Sequence, residues 1–221
     1  MMIMIIYALI TIAIFGMWYY ARYEGNFLPS PKKTFNPMMI VAIVILVPGT
    51  QFAANFIANL TGYIRPDWLQ QYNELFETSG ITDTTFVTVL YSVILAPICE
   101  ELIFRGVTMR CARKALPFAL ANLMQAALFG LFHLNWIQGI YAFALGIVLG
   151  YVCERGGSIY YSMGLHLLFN LWGTLSGFFP DPGNSVVVFV VVIVVTIVSL
   201  VAGFVLFNKG RRKLPINSTG I

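Results

Sequence analysis

Residues 185–207 read SVVVFVVVIVVTIVSLVAGFVLF, a run of 23 residues without one charge. Its β-branched composition would suit a strand, but strands are rarely longer than about 10 residues. About 20 apolar residues cross a bilayer as a helix. In lipid such a segment must satisfy its own backbone, so the run reads as a transmembrane helix. Six further apolar segments join it, giving expected spans at 2–20, 38–60, 85–109, 117–135, 138–153, 158–178 and 185–207, the fifth being short. The chain is 59% hydrophobic and 10% charged, against about 25% charged in soluble domains. The expectation is an all-α, polytopic helical bundle of about seven spans, a single membrane domain over 1–221.

The charges set the topology. Arg22, Lys32 and Lys33 lie between the first two spans. Arg110, Arg113 and Lys114 follow the third, with Arg105 just before them, and Arg155 follows the fifth. Lys209, Arg211, Arg212 and Lys213 follow the seventh. Together these are 12 of the 13 basic residues, and the opposite loops hold only Arg65, beside Asp67, Glu74, Glu77 and Asp83. The positive-inside rule then places the N-terminus outside and the C-terminus in the cytoplasm. The net charge of +4 is thereby assigned to orientation and contact with lipid headgroups, not to nucleic acid.

The first segment has basic residues after it instead of before it and no small-residue cleavage site, so it reads as a retained helix. The loop at 61–84 contains RPDWLQQYNELF, which suits a short interfacial helix or a plain loop. Cys99, Cys111 and Cys153 have no metal-ligand spacing and are read as packing residues. The tail LPINSTGI is expected to be unstructured.

An ionisable side chain within a membrane helix costs several kcal/mol unless paired or hydrated. This chain places Glu100, Glu101, Arg105, His133, His166 and Asn170 in its spans, including its only two histidines. Glu101 and Arg105 are spaced i, i+4 in the order that favours an ion pair, so they are expected to brace the structure. Glu100 points about 100° away from Glu101 and has no partner on its own helix. A buried carboxylate without a counter-charge suits acid or base work. Glu100 lies 16 residues before Leu116, and His133 lies 16 after Pro117, so the two are expected to meet across the hairpin. His166 and Asn170, again i, i+4, share one face at a similar depth.

These residues fall into three motifs. Glu100-Glu101-Leu-Ile-Phe-Arg105 resembles the EExxxR motif of the CPBP family, the CAAX proteases and bacteriocin-processing enzymes also called the Abi family. Phe129-Gly-Leu-Phe-His133 resembles its FxxxH motif, and His166-Leu-Leu-Phe-Asn170 its HxxxN motif. Each is weak alone, but three in order on three hydrophobic segments make a strong signal, covering roughly 85–175. The resemblance implies an integral, multi-pass protease of a prokaryotic plasma membrane, with a site open toward the cytoplasm and lipid. By that resemblance Glu100 and His133 activate a water, His166 and Asn170 form an oxyanion hole, and Glu101, Arg105 and Phe129 support the site. The substrate would be a membrane-associated peptide or protein, such as a prenylated CAAX tail or a bacteriocin-like peptide.

No cofactor is expected. The alternative is zinc held by Glu100, His133 and His166, although the chain has no HExxH motif. Two other function classes compete: a catalytically silent membrane scaffold of the same fold, and a proton-coupled transporter. Every motif position is occupied, which argues against the first. Without an internal repeat or paired interrupted helices the second has little support. Pro48 and Pro97 do interrupt two spans, but not at corresponding positions of two halves.

Overall fold

The structure is a computed structural model that describes residues 2–23, 36–79, 85–176 and 185–211. Lys32, Lys33, Asp83, Arg212, Lys213, the side chain of Arg22 and the tail from 214 lie outside the described residues. The helices are α1 (Met2–Tyr23), α2 (Pro37–Ile64), α3 (Pro66–Ser79), α4 (Phe86–Ala112), α5 (Phe118–Phe132), α6 (Trp136–Gly156), α7 (Ile159–Ser176) and α8 (Val186–Gly210). No strand occurs among the described residues. Each of the seven expected segments falls on a helix. Five helices, α1, α2, α4, α6 and α8, are long and apolar enough to cross a membrane.

Two boundaries differ from expectation. The fifth segment is not short, because α6 has 21 residues. The fourth is the short one, with 15 residues in α5. The cause is local. Asn135 caps α6, its side chain accepting from the Gln138 N–H at 2.7 Å. Leu134 just before it adopts φ 56°, a left-handed conformation that few non-glycine residues take. The chain therefore reverses at 133–135, and His133 sits on the C-cap of α5, not inside a span.

Without a hydrophobic drive between helices in lipid, packing relies on small residues and interhelical hydrogen bonds. The pairing of α2 with α8 uses both. A Cβ on Gly203 of α8 would come within 2.6 Å of Leu46. Pro48 interrupts α2, and the Ser199 hydroxyl of α8 enters the ladder there. It accepts the Gly49 N–H at 2.9 Å and donates to the Ile45 carbonyl, two groups that would bond each other in an unbroken α-helix. At the other end of this pair, the Asn36 side chain caps α2 and donates to the Gly210 carbonyl at 2.6 Å. The α5–α6 hairpin is equally close. A Cβ on Gly146 would lie 3.1 Å from Ala126, and one on Gly150 would collide with Asn122.

The 61–84 region resolves in favour of a helix. The 14-residue α3 is amphipathic and spans from the end of α2 to the start of α6. Trp68 stacks on Trp136 at 5.3 Å, and the Tyr72 hydroxyl is hydrogen-bonded to that of Tyr141. Burial raises the Tyr72 hydroxyl above its ordinary pKa. At the start of α3, hydrogen bonds from Arg65 hold the Asp67 carboxyl below its usual range. Of the cysteines, Cys99 and Cys153 are buried as expected of packing residues, while Cys111 is exposed.

Candidate active site

The polar residues of α4 sit on an irregular helix. Its segments Leu90–Leu95 and Leu102–Met109 have π-helical, i to i+5 bonding, with the α-helical turn Ala96–Glu101 between them. Such widened turns are rare and concentrate at functional sites. Pro97 explains part of the first. The Ala96 N–H bonds the Tyr91 carbonyl, five residues back. The next carbonyl in that register, Ser92, would take its donor from residue 97, and proline has none. The Asn170 side chain of α7 supplies it instead, donating Nδ2–H to the Ser92 carbonyl at 2.8 Å.

The second widened segment presents Arg105 inward. Its Nη1 lies 2.8 Å from Oε1 of Glu101, and both side chains are wholly buried. Nη2 of Arg105 donates to the Gly146 carbonyl at 3.2 Å, and its guanidinium carbon lies 4.5 Å above the Phe129 ring. The Gly146 carbonyl also accepts from Gln125 Nε2 at 2.9 Å, and Asn122 Nδ2 donates to the Ile147 carbonyl at 3.0 Å. Glycine at 146 and 150 brings the α6 backbone close enough for these bonds.

His166 lies between the two glutamates. Its Nδ1 is 2.9 Å from Glu101 Oε1, and its Nε2 is 3.6 Å from Glu100 Oε2. Glu100 keeps 14% exposure while Glu101 has none. His133 approaches from the α5–α6 turn. Its Nδ1–H donates to the Phe129 carbonyl at 2.8 Å, since a carbonyl can only accept, so the neutral ring has its lone pair on Nε2. Both imidazoles stand edge-on to Phe129, at 5.0 Å for His133 and 5.7 Å for His166. Phe129 is thus the common wall of both histidines and the arginine.

The geometry differs from the expected hairpin pairing. Across the bundle Glu100 lies beside His166, and no direct bond joins Glu100 to His133 among the described residues. His133 lies within electrostatic reach of Glu100. Counting residues from the turn placed His133 at the depth of Glu100, but the early end of α5 carries its ring to the far tip of the hairpin. Asn122, Gln125, Gly146 and Ser92 escaped the sequence reading. The visible signal for the first three was a polar i, i+3 pair on α5 facing the GxxxG spacing of Gly146 and Gly150.

The zinc alternative can be set against this geometry. No group of three His, Cys, Asp or Glu side chains at metal-binding spacing occurs among the described residues. Nδ1 of His166 faces Glu101, and Nδ1 of His133 is bonded to backbone. These Nδ1 contacts leave Nε2 of both rings available, the arrangement that metal-ligating histidines commonly have, so zinc stays the alternative at this site.

Residues 82–172 match the family model described as type II CAAX prenyl endopeptidase Rce1-like. No curated protein and no solved structure matches the chain significantly. The matched stretch holds all three motifs and their four helices, α4 to α7, and leaves α1, α2, α3 and α8 outside. Over residues 82–172 the chain is similar to the Rce1-like, CAAX-protease-type endopeptidases, a likeness carried here among helices long and apolar enough to cross a membrane.

Proposed function

We propose that the chain is a glutamate-type endopeptidase that hydrolyses a peptide bond of a membrane-associated protein or peptide in a prokaryotic plasma membrane, without a metal. Glu100, with His133 within its electrostatic reach, takes a proton from the attacking water, and the lone pair on Nε2 of His133 suits it to share that work. The water oxygen bonds to the scissile carbonyl carbon, the C–N bond then breaks, and the amine leaves with the proton. His166 and the second Nδ2 hydrogen of Asn170 stabilise the developing oxyanion. Each such donor contributes about 2.7–4 kcal/mol in comparable sites.

The observation that carries this reading is the seating of His166 between Glu100 and Glu101. His166 bridges the two carboxylates and Arg105 pairs with Glu101, so the buried acids are not left without partners in low dielectric. Glu101, Arg105 and Phe129 hold that imidazole in place. A prenylated CAAX tail is the substrate suggested by the family description, and a bacteriocin-like peptide is the other candidate.

The test uses detergent-purified protein and a quenched peptide library. Glu100→Ala and His133→Ala are expected to lower cleavage by about 10²–10⁴-fold while melting near the wild-type temperature. A wild type that cleaves nothing, with variants that still complement in cells, would return the chain to the scaffold reading. Chelator treatment is expected to leave activity unchanged, and loss restored by zinc would overturn the metal-free mechanism.

A further inference from the structure

Helix α5 carries polar and aromatic residues on one face. Asn122, Gln125, Phe129 and His133 follow one another at intervals of three, four and four, the spacing that aligns side chains along a helix. Asn122 and Gln125 are buried, Gln125 completely. A side-chain amide in a membrane helix finds its partners on a neighbouring helix, and these two find them on α6. Asn122 Nδ2 donates to the Ile147 carbonyl at 3.0 Å. Gln125 Nε2 donates twice, to Asn122 Oδ1 at 2.7 Å and to the Gly146 carbonyl at 2.9 Å. Two consecutive carbonyls of α6 are thereby held by two side chains of α5. Glycine makes the seat, since a Cβ on Gly150 would collide with Asn122 and come within 2.8 Å of Gln125 Nε2.

Apolar packing in lipid leaves a helix pair free to slide or turn, because lipid tails are as apolar as leucine. The amide pair removes that freedom. It fixes the rotation and depth of α5 against α6, and with them Phe129 and His133, four and eight residues further along the same face. The same carbonyl also reaches the other half of the site. Gly146 accepts from Arg105 Nη2 at 3.2 Å. Arg105 Nη1 lies 2.8 Å from Glu101 Oε1, and that oxygen lies 2.9 Å from Nδ1 of His166. Gln125 and Arg105 are thus two donors on one acceptor. Gln125 has a cost as well. Its Oε1 is buried with no hydrogen-bond partner among the described residues, a penalty that an apolar side chain of similar size would avoid.

We propose that Gln125 is a positioning residue of the reaction. Through the Gly146 carbonyl it sets Arg105, Glu101 and His166, and along its own helix face it sets Phe129 and His133. Water activation and oxyanion stabilisation then share one register, fixed where α5 meets α6. The effect on turnover rests on the endopeptidase reading. The effect on the two imidazoles does not.

The experiment reads both. The chain has two histidines, so isotope-labelled imidazole nitrogens in detergent-solubilised protein give two sets of NMR signals, assigned with His133→Ala. Gln125→Met keeps the side-chain length and removes both donated bonds. Turnover per folded molecule is expected to fall about 10²-fold, the scale of a displacement of about 1 Å, with KM little changed. The signals of both rings are expected to shift. Gly150→Ala is the second variant. It leaves Gln125 in the chain, favours the helix of α6 and pushes the amide pair off its seat, so the same two changes are expected. Ser199→Ala loosens the α2–α8 pair instead and is expected to move neither readout. Turnover or His166 ring signals at their wild-type values in folded Gln125→Met overturn the proposal. If Gln125→Met does not fold, Gly150→Ala is judged by the same criteria, and failure of both to fold makes the amide pair a structural contact and overturns the proposal too. If wild-type protein cleaves nothing, the endopeptidase reading fails, while the ring signals still decide whether Gln125 sets the histidines.

Discussion

Two membrane helices of this protein carry an internal proline, and beside each a side chain from another helix bonds the backbone. Beside Pro48 in α2, the Ser199 hydroxyl accepts the Gly49 N–H and donates to the Ile45 carbonyl. At Pro97 in α4, Asn170 covers a single carbonyl, Ser92, and keeps a second amide hydrogen in hand. The first repair closes upon itself in a region of small-residue packing between α2 and α8. The second sits beside Pro97, three residues before Glu100 on the helix that carries the candidate site. A backbone defect in lipid has to be satisfied. The Ser199 hydroxyl has its single hydrogen committed, whereas the Asn170 amide has a second hydrogen to donate.

Substitutions test that contrast. The largest effect is expected at Arg105, which serves the Pro97 side. Arg105→Met leaves Glu101 buried without its guanidinium and is expected to cost about 3–5 kcal/mol. Loss of folded protein in a detergent melting assay would show it, and a wild-type melting temperature would mean that the pair contributes nothing. Next comes Asn170→Ala, expected to lower cleavage by about 10²–10³-fold with a smaller loss of stability. If stability and activity fell in proportion, Asn170 would be a repair of the Ser199 type only. Ser199→Ala is expected to show the opposite split, about 1–3 kcal/mol of stability for two lost buried hydrogen bonds and unchanged turnover per folded molecule. The smallest effect on stability is expected for Pro97→Ala. It restores an N–H for the Ser92 carbonyl and so competes with Asn170. Turnover should fall while the melting temperature holds or rises, and unchanged turnover would detach the π-helical turn from the reaction.

The sequence made the apolar half of this structure legible because hydrophobic length is a local property. Residues 185–207 needed no partner to be read as a helix, and α8 covers them. The separation of Glu101 from Glu100 was also legible, because the i, i+4 pairing with Arg105 lies within one helix. What depended on two distant segments was not. Nothing in the sequence near Pro48 points to Ser199, 151 positions further on, and nothing near His166 says that it stands between both glutamates. The hairpin register was harder to read for a different reason. Equal residue counts imply equal depth only while both arms are regular helices. One arm is widened by π turns, and the other stops at Phe132 with Leu134 at φ 56°. The interfacial helix α3 stayed ambiguous because 14 residues with few apolar positions carry a weak periodic signal.

The ion pair between Glu101 and Arg105 has a consequence for how the protein is made. A ribosome delivers α4 to the membrane before His166, Asn170 or the Gly146 carbonyl has been synthesised. During that interval only neighbours on the same helix are at hand to offset charge. Because Arg105 lies one turn after Glu101 and already bonds it, α4 enters as a nearly self-neutralised segment and waits for its later contacts. The order of the residues in the motif is in this sense an instruction for biogenesis. Exchanging the two positions would place the same charges in the same helix but in the less favourable order for an isolated one.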